Sequence, residues 1–339
     1  MPKVLSPLIS VLMPVRAFTD FTIDAVDSVL TQTHHRLELV IVGHDDINAL
    51  LTKLPKDNRI RGISRNAPGI VAALNTGLQH CTGEYIARMD DDDICDPTRL
   101  ETQLQFAKQN PKIDFIGARV RFFDKEQAVG AGNARYEHWL NSLCTVEDIN
   151  NACFIESPMP HPTFFAHKQF WQSMQGYRDN NWPEDYDFVL RAWLHGFSMG
   201  KPEPVLLAWR EHANRLTKTD SRYSREAFIR AKAWALMQPE SRINTDRNIW
   251  ICGTGRNARY WHDALVEQGA TISGFVELDS APEKTHKRHL PVVRYATLLN
   301  SWNNELVITA ISNATARQQL IDWFSDNRRV SGCDYVLGS

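Results

Sequence analysis

Gly83-Glu84-Tyr85-Ile86-Ala87-Arg88-Met89-Asp90-Asp91-Asp92-Asp93-Ile94 is a short, largely apolar run that stops on four consecutive carboxylates. Residues 84–89 read as a β-strand, and the abrupt change to Asp90 marks its carboxyl end. Pro97 and the polar, helix-favouring residues 99–109 follow, so the acidic run reads as a strand-to-helix loop.

Outward from that run the same alternation continues. Residues 8–14, 37–42 and 60–64 read as strands, with helices at 22–31 and 69–80 between them, the pattern of a parallel-rich α/β sheet. From about residue 110 to 180 the pattern is less regular, with 115–123 strand-like and 164–174 mixed. Helices return at 185–195 and 222–237, before the polar stretch 239–247. A second α/β pattern then begins: strand 249–252, a glycine turn, a helix to Gln268, and strands 271–276 and 306–311. The reading is therefore a first domain over 1–220, a helical linker over 221–246 and a small α/β domain over 247–339.

With 339 residues, 43% of them apolar, the chain can bury two ordinary cores. Lysine plus arginine (38) nearly balance aspartate plus glutamate (40), so no overall field draws the protein to nucleic acid. Six scattered cysteines form no CxxC pair, no disulfide framework and no zinc pattern. Reduced thiols, no secretory leader and no long apolar run lead us to expect a soluble cytoplasmic protein. Peripheral docking at the inner face of the membrane and homo-oligomer formation are compatible with this reading. The helix at 222–237 carries Arg222, Arg225, Arg230 and Lys232 and reads as an amphipathic linker, with surface attachment as the alternative.

Four adjacent carboxylates repel one another unless a cation neutralises them. Mg²⁺ or Mn²⁺ beside a diphosphate prefers such oxygen ligands, and open α/β sheets bind ligands at the carboxyl ends of their strands. A solvated acidic turn is the plain alternative.

The run, with Pro97, Arg99-Leu100 and Gln103 behind it, resembles the DXD region of family 2 glycosyltransferases. Further elements match in the same order: Ile9-Ser10-Val11-Leu12-Met13-Pro14-Val15, Glu38-Leu39-Val40-Ile41-Val42, Arg65-Asn66, Gly69 and Ala73-Leu74-Asn75-Thr76-Gly77. His161-Pro162-Thr163, Glu184-Asp185-Tyr186-Asp187 and Trp209-Arg210-Glu211-His212 complete the set over residues 7–215. The resemblance implies a GT-A nucleotide-diphospho-sugar transferase fold and an inverting transfer from a nucleoside diphosphate sugar to a carbohydrate or lipid-linked glycan, in surface glycan assembly. It implies Asp92 as main metal ligand, with Asp90 and Asp93 beside it and His212 able to approach, and Asp91 as the dispensable middle residue. Pro14, Val15, Asp45, Arg65, Asn75, Asp90 and Arg210 fall on the donor side.

An acceptor hydroxyl needs a base as it attacks, and the resemblance gives that role to Asp185, supported by Glu184, Asp187 and His161. On spacing alone Asp185 is equally a first-turn helix acid, His161 an ordinary loop residue, and Arg210 and His212 surface groups. The pattern is broken where the family shows an acidic pair: Gly43-His44 stand there, with Asp45-Asp46 following, and Arg16 replaces an asparagine common in the family.

Gly253-Thr254-Gly255-Arg256-Asn257-Ala258 reads as G-x-G-x-x-A between strand and helix, with Glu277 after the next strand. This Rossmann-like fingerprint places Gly253, Gly255, Ala258 and Glu277 as nucleotide-binding candidates. Such a lobe binds NAD, a nucleotide sugar or nothing, and no Tyr-x-x-x-Lys element follows. Two rivals therefore stand beside the transferase: a non-catalytic nucleotide-sugar-binding protein and an NAD-linked oxidoreductase.

Overall fold

The computed structural model describes residues 6–43, 47–124, 128–213, 215–278 and 285–339. They fall into two compact units, the first from residues 1–150, 158–179 and 196–219, the second from 151–157, 180–195 and 220–339.

In the first unit β1 (Ile9–Pro14), β2 (Leu37–Gly43), β3 (Ile60–Ser64) and β4 (Tyr85–Arg88) are parallel, in the order β3-β2-β1-β4. Both β1 and β2 are buried along their whole length, as expected for near-continuous apolar strands covered on both faces. Helix Asp20–Leu30 turns Ala25, Val26 and Val29 inward, and helix Ile70–His80 does the same with Val71, Ala73 and Leu74. Gly77 permits the close approach of that second helix, since a Cβ there would lie 2.0 Å from Leu12 Cδ1. Glu38 in β2 is a buried charge. Burial alone would raise its pKa, but hydrogen bonds from Ser10, Thr82 and Arg61 hold it down at about 2.

The chain then runs through β5 (Ile94–Cys95), β6 (Phe115–Ile116), β7 (Arg119–Phe123), β8 (Phe165–His167), β9 (Met199–Gly200) and β10 (Val205–Arg210). β8 joins β4 antiparallel, and the sheet extends to seven strands as β3-β2-β1-β4-β8-β6-β9. A separate three-stranded sheet has the order β5-β10-β7, with β10 antiparallel to β5 and parallel to β7. The strand expected over 115–123 is thus two strands in different sheets. The chain changes sheet at Gly117 and Ala118, whose amides bond Gly200 O at 3.0 Å and Thr163 Oγ1 at 3.0 Å.

In the second unit β11 (Asn248–Cys252), β12 (Ile272–Glu277), β13 (His286–Lys287), β14 (Leu290–Arg294), β15 (Glu305–Thr309) and β16 (Tyr335–Leu337) form one sheet. Its order is β13-β14-β12-β11-β15-β16, parallel throughout except for the β13–β14 hairpin. Helix Arg225–Leu236 lies against helices Glu184–Leu194 and Arg256–Glu267. Of the four cations that gave residues 222–237 a basic character, Arg222 precedes the helix and Lys232 is inside the protein. Lys232 Nζ donates to Ile155 O at 2.8 Å and Gly338 O at 3.2 Å, and burial lowers its pKa to about 8. No described helix is long and apolar enough to cross a membrane.

Candidate active site

β4 delivers the acidic run to the carboxyl edge of the parallel sheet, and Asp93 leads directly into β5. The two sheets therefore fix the loop from opposite ends. One carboxylate oxygen from each of Asp90, Asp92 and Asp93 lies within 4.8 Å of the others.

Each acid has a different partner. Asp90 faces the buried Arg88 guanidinium at 2.5 Å, and the Arg88 carbonyl accepts from Arg99 at 2.6 Å. Burial works against the Arg88 charge, but Asp90 outweighs it and raises the pKa. Asp91 reaches Thr22 Oγ1 at 3.5 Å, at the limit of a hydrogen bond. Asp92 Oδ2 sits 2.8 Å from His212 Nε2. Asp93 is wholly buried; its Oδ1 accepts the Arg210 amide at 2.8 Å, and its Oδ2 is buried with no hydrogen-bond partner among the described residues. Burial and then the neighbouring carboxylates raise the pKa values of Asp91, Asp92 and Asp93.

An all-oxygen donor set with an orphaned buried carboxylate oxygen suits a hard divalent cation. Asp90, Asp92 and Asp93 are the residues that would hold it. His212 stands one hydrogen bond away, through Asp92.

Arg210 ends β10, and its guanidinium lies over the rings of Phe21 (4.2 Å) and Phe123 (4.7 Å). Its Nε donates to Asp92 O at 2.6 Å and its Nη2 pairs with Asp24 at 3.0 Å. His161 is buried, with Nε2 2.9 Å from the Tyr177 hydroxyl. Burial, reinforced by the Arg88 charge, holds its pKa well below the usual range, so the imidazole is neutral. Asn75 uses both ends of its amide on the Tyr177 backbone, at 2.8 and 2.9 Å.

Among the remaining donor-side residues, Pro14 closes β1 and the Val15 amide continues its ladder to Val42 O at 2.8 Å. Arg65 donates its amide to Gly43 O and its Nη1 to Gly69 O. Asp45 and His44 lie outside the described residues.

In the second unit the Glu184-Asp185-Tyr186-Asp187 cluster opens helix Glu184–Leu194. Glu184 is buried and accepts from the Tyr223 hydroxyl at 2.8 and 2.9 Å. Asp187 is wholly buried and faces Arg191 Nε at 2.8 Å and Trp182 Nε1 at 3.0 Å. Asp185 is half-buried, with Oδ1 accepting the Tyr186 amide at 2.8 Å.

The glycine turn of this unit has Gly253 at φ +95°, its amide on Val276 O at 2.7 Å, and Gly255 at the start of helix Arg256–Glu267. Ala258 is buried in that helix, and Glu277 ends β12 with Thr254 Oγ1 donating to it. Cys252, Gly253, Glu277, Leu278 and Ile311 line a cavity of about 140 Å³ at these strand ends.

Sequence reasoning did not single out Phe21, Asp24, Phe123, Tyr177 or Tyr223, and gave Arg88 no role of its own. The first five reach their partners through contacts between distant segments. Arg88 alone had a local signal, a cation placed two residues before an acidic run.

Residues 10–171 match the family described as Glycosyl transferase family 2. The chain is 30% identical to the O-antigen biosynthesis glycosyltransferase WbnJ of Escherichia coli over 189 residues, 54% of this chain and 71% of that protein. It is 28% identical to the bifunctional glycosyltransferase pgtA of Dictyostelium discoideum over 290 residues, 72% of this chain but only 38% of that protein's length. Among solved structures, S. aureus TarS 1-349 in complex with UDP-GlcNAc superposes with a TM-score of 0.52 at 13% identity, over 68% of this chain and 66% of that one. That similarity is one of fold, and the fold is GT-A.

Proposed function

The chain belongs to glycosyl transferase family 2, and from that premise we propose that it moves a sugar from a nucleoside diphosphate donor to a carbohydrate or lipid-linked glycan acceptor, inverting the anomeric centre. One observation carries this reading: three carboxylates converge within 4.8 Å at a strand end, one of them buried with an oxygen that no described group satisfies. A divalent cation, Mn²⁺ or Mg²⁺, bound there would neutralise charge on the departing diphosphate as a Lewis acid.

The protein's own residues supply the rest. Arg88 fixes Asp90, and the Arg210 amide fixes Asp93. Asp185 is the proposed base. Its support is that Asp185 is a half-buried acid in the first turn of helix Glu184–Leu194, at the position that the family resemblance gives to the base. His161, a neutral imidazole held by Tyr177, serves as a hydrogen-bonding group rather than a charge. The name of the E. coli relative favours a surface-glycan acceptor. Residues 247–339 are proposed as an accessory lobe, since a parallel sheet and glycine turn are present without a recognisable hydride-transfer element.

Thermal-shift screening of nucleoside diphosphate sugars, with Mn²⁺ and with EDTA, tests the reading on wild type and Asp92→Ala. We expect one donor to stabilise the wild type only with metal, and the variant to lose that response. Stabilisation indifferent to both metal and substitution would refute the metal-dependent site.

A further inference from the structure

Arg210 falls on the donor side by resemblance, where it would pair with phosphate, but its surroundings describe another task. The side chain is 2% exposed, the guanidinium lies over the rings of Phe21 and Phe123, and Nη1 is buried with no hydrogen-bond partner among the described residues. Nε holds the Asp92 carbonyl at 2.6 Å, the backbone amide holds Asp93 Oδ1 at 2.8 Å, and Nη2 is anchored at 3.0 Å by Asp24 from helix Asp20–Leu30.

We propose that Arg210, clamped by Phe21 and Phe123 and anchored by Asp24, is a positioning residue that presets the metal-binding acids rather than a ligand of the donor phosphates. Two successive residues of the loop are held by one residue of β10, so the carbonyl of Asp92 and the carboxylate of Asp93 keep a fixed relation before any ligand arrives. A guanidinium suits this task because its donors are planar and fixed in direction, and its faces stack on aromatic rings. Asp24 completes the device from outside: about a third of its side chain is exposed, and its carboxylate pairs with Arg210 Nη2.

The inference rests on the metal-dependent reading above, and the test separates the two. Calorimetric titration of the full-length protein with Mn²⁺ alone, without donor, is compared for wild type, Arg210→Lys and Asp24→Asn. Both variants should bind Mn²⁺ about tenfold more weakly, the usual penalty for losing a partner that orients metal ligands. At saturating Mn²⁺, the donor KM of Asp24→Asn should stay close to that of wild type. Asp24→Asn sits at a partly exposed position and keeps an oxygen acceptor for Nη2, so it reports even if Arg210→Lys folds poorly. Unchanged Mn²⁺ affinity with a raised donor KM in both variants would overturn the brace and return Arg210 to the phosphates. Absence of Mn²⁺ binding by wild type would overturn the metal reading, and the brace with it.

Discussion

Replacing Asp187 by Asn should weaken the fold, while the same replacement at Asp185, two residues away, should weaken the reaction. Asp187 is wholly buried and faces the Arg191 guanidinium at 2.8 Å, with Trp182 Nε1 at 3.0 Å and Asn180 at 3.3 Å. Removing its charge leaves a buried cation opposite a neutral amide. Deleting one partner of a buried pair costs about 3–5 kcal/mol, and Asn retains one acceptor, so the lower end, about 3 kcal/mol, is expected. Asp185 is half-buried, and the hydrogen bond it accepts from the Tyr186 amide at 2.8 Å is reproduced by the Asn carbonyl. Its substitution should change stability by less than about 0.5 kcal/mol. Turnover should nevertheless fall by roughly two to four orders of magnitude, the contribution of a positioned base. Urea denaturation followed by tryptophan fluorescence measures the first quantity, and sugar transfer assayed well below the melting temperature measures the second. Wild-type stability with lost transfer in Asp187→Asn, or near-normal transfer in Asp185→Asn, would refute the division of labour.

Two further outcomes follow from buried or constrained groups. Lys201 Nζ donates to Leu140 O and Pro158 O, and burial lowers its pKa from 10.5 to about 7. The unfolded chain therefore holds that proton more tightly, and the folded state should gain about 5 kcal/mol as pH rises from about 7 to 10.5. Lys201→Met should abolish this gain; a difference in urea midpoints between the two proteins that stays flat with pH would contradict it. At the glycine turn, Gly253→Ala places a side chain at φ +95° and should destabilise by about 1–2 kcal/mol, although no clash results. Gly255→Ala, at φ −74° with open space around the new Cβ, should be close to neutral in denaturation, and an equal loss at both glycines would show that φ is not the cause.

What could be read from sequence was what local pattern determines. The continuous apolar runs of β1, β2 and β4 gave strands whose ends fall within a residue or two of those observed, and the abrupt stop at Asp90 placed the acidic loop. Helix Ala131–Ser142 escaped because only Leu140 is buried along it, so it lacks an apolar stripe. The strand Val205–Arg210 was not legible because its pairing with β5 and β7 depends on distant segments. The same holds within the site. Arg210 meets Asp93 across 117 residues and Asp24 across 186, distances over which spacing carries no signal. The four carboxylates were legible as a group, but their separate partners were not.

The five residues between Arg88 and Ile94 join the seven-stranded sheet to the three-stranded one, and this makes the tract intolerant of length change. Side chains alternate across a strand, so one inserted or deleted residue would turn either Ile86 and Arg88 or Ile94 and Cys95 to the wrong face. It would also pull Asp93 off the Arg210 amide. Point changes in the tract alter its chemistry one group at a time. A single-residue slip would instead break both sheet edges and the acidic cluster at one stroke, so the tract should vary among functional descendants in composition but never in length.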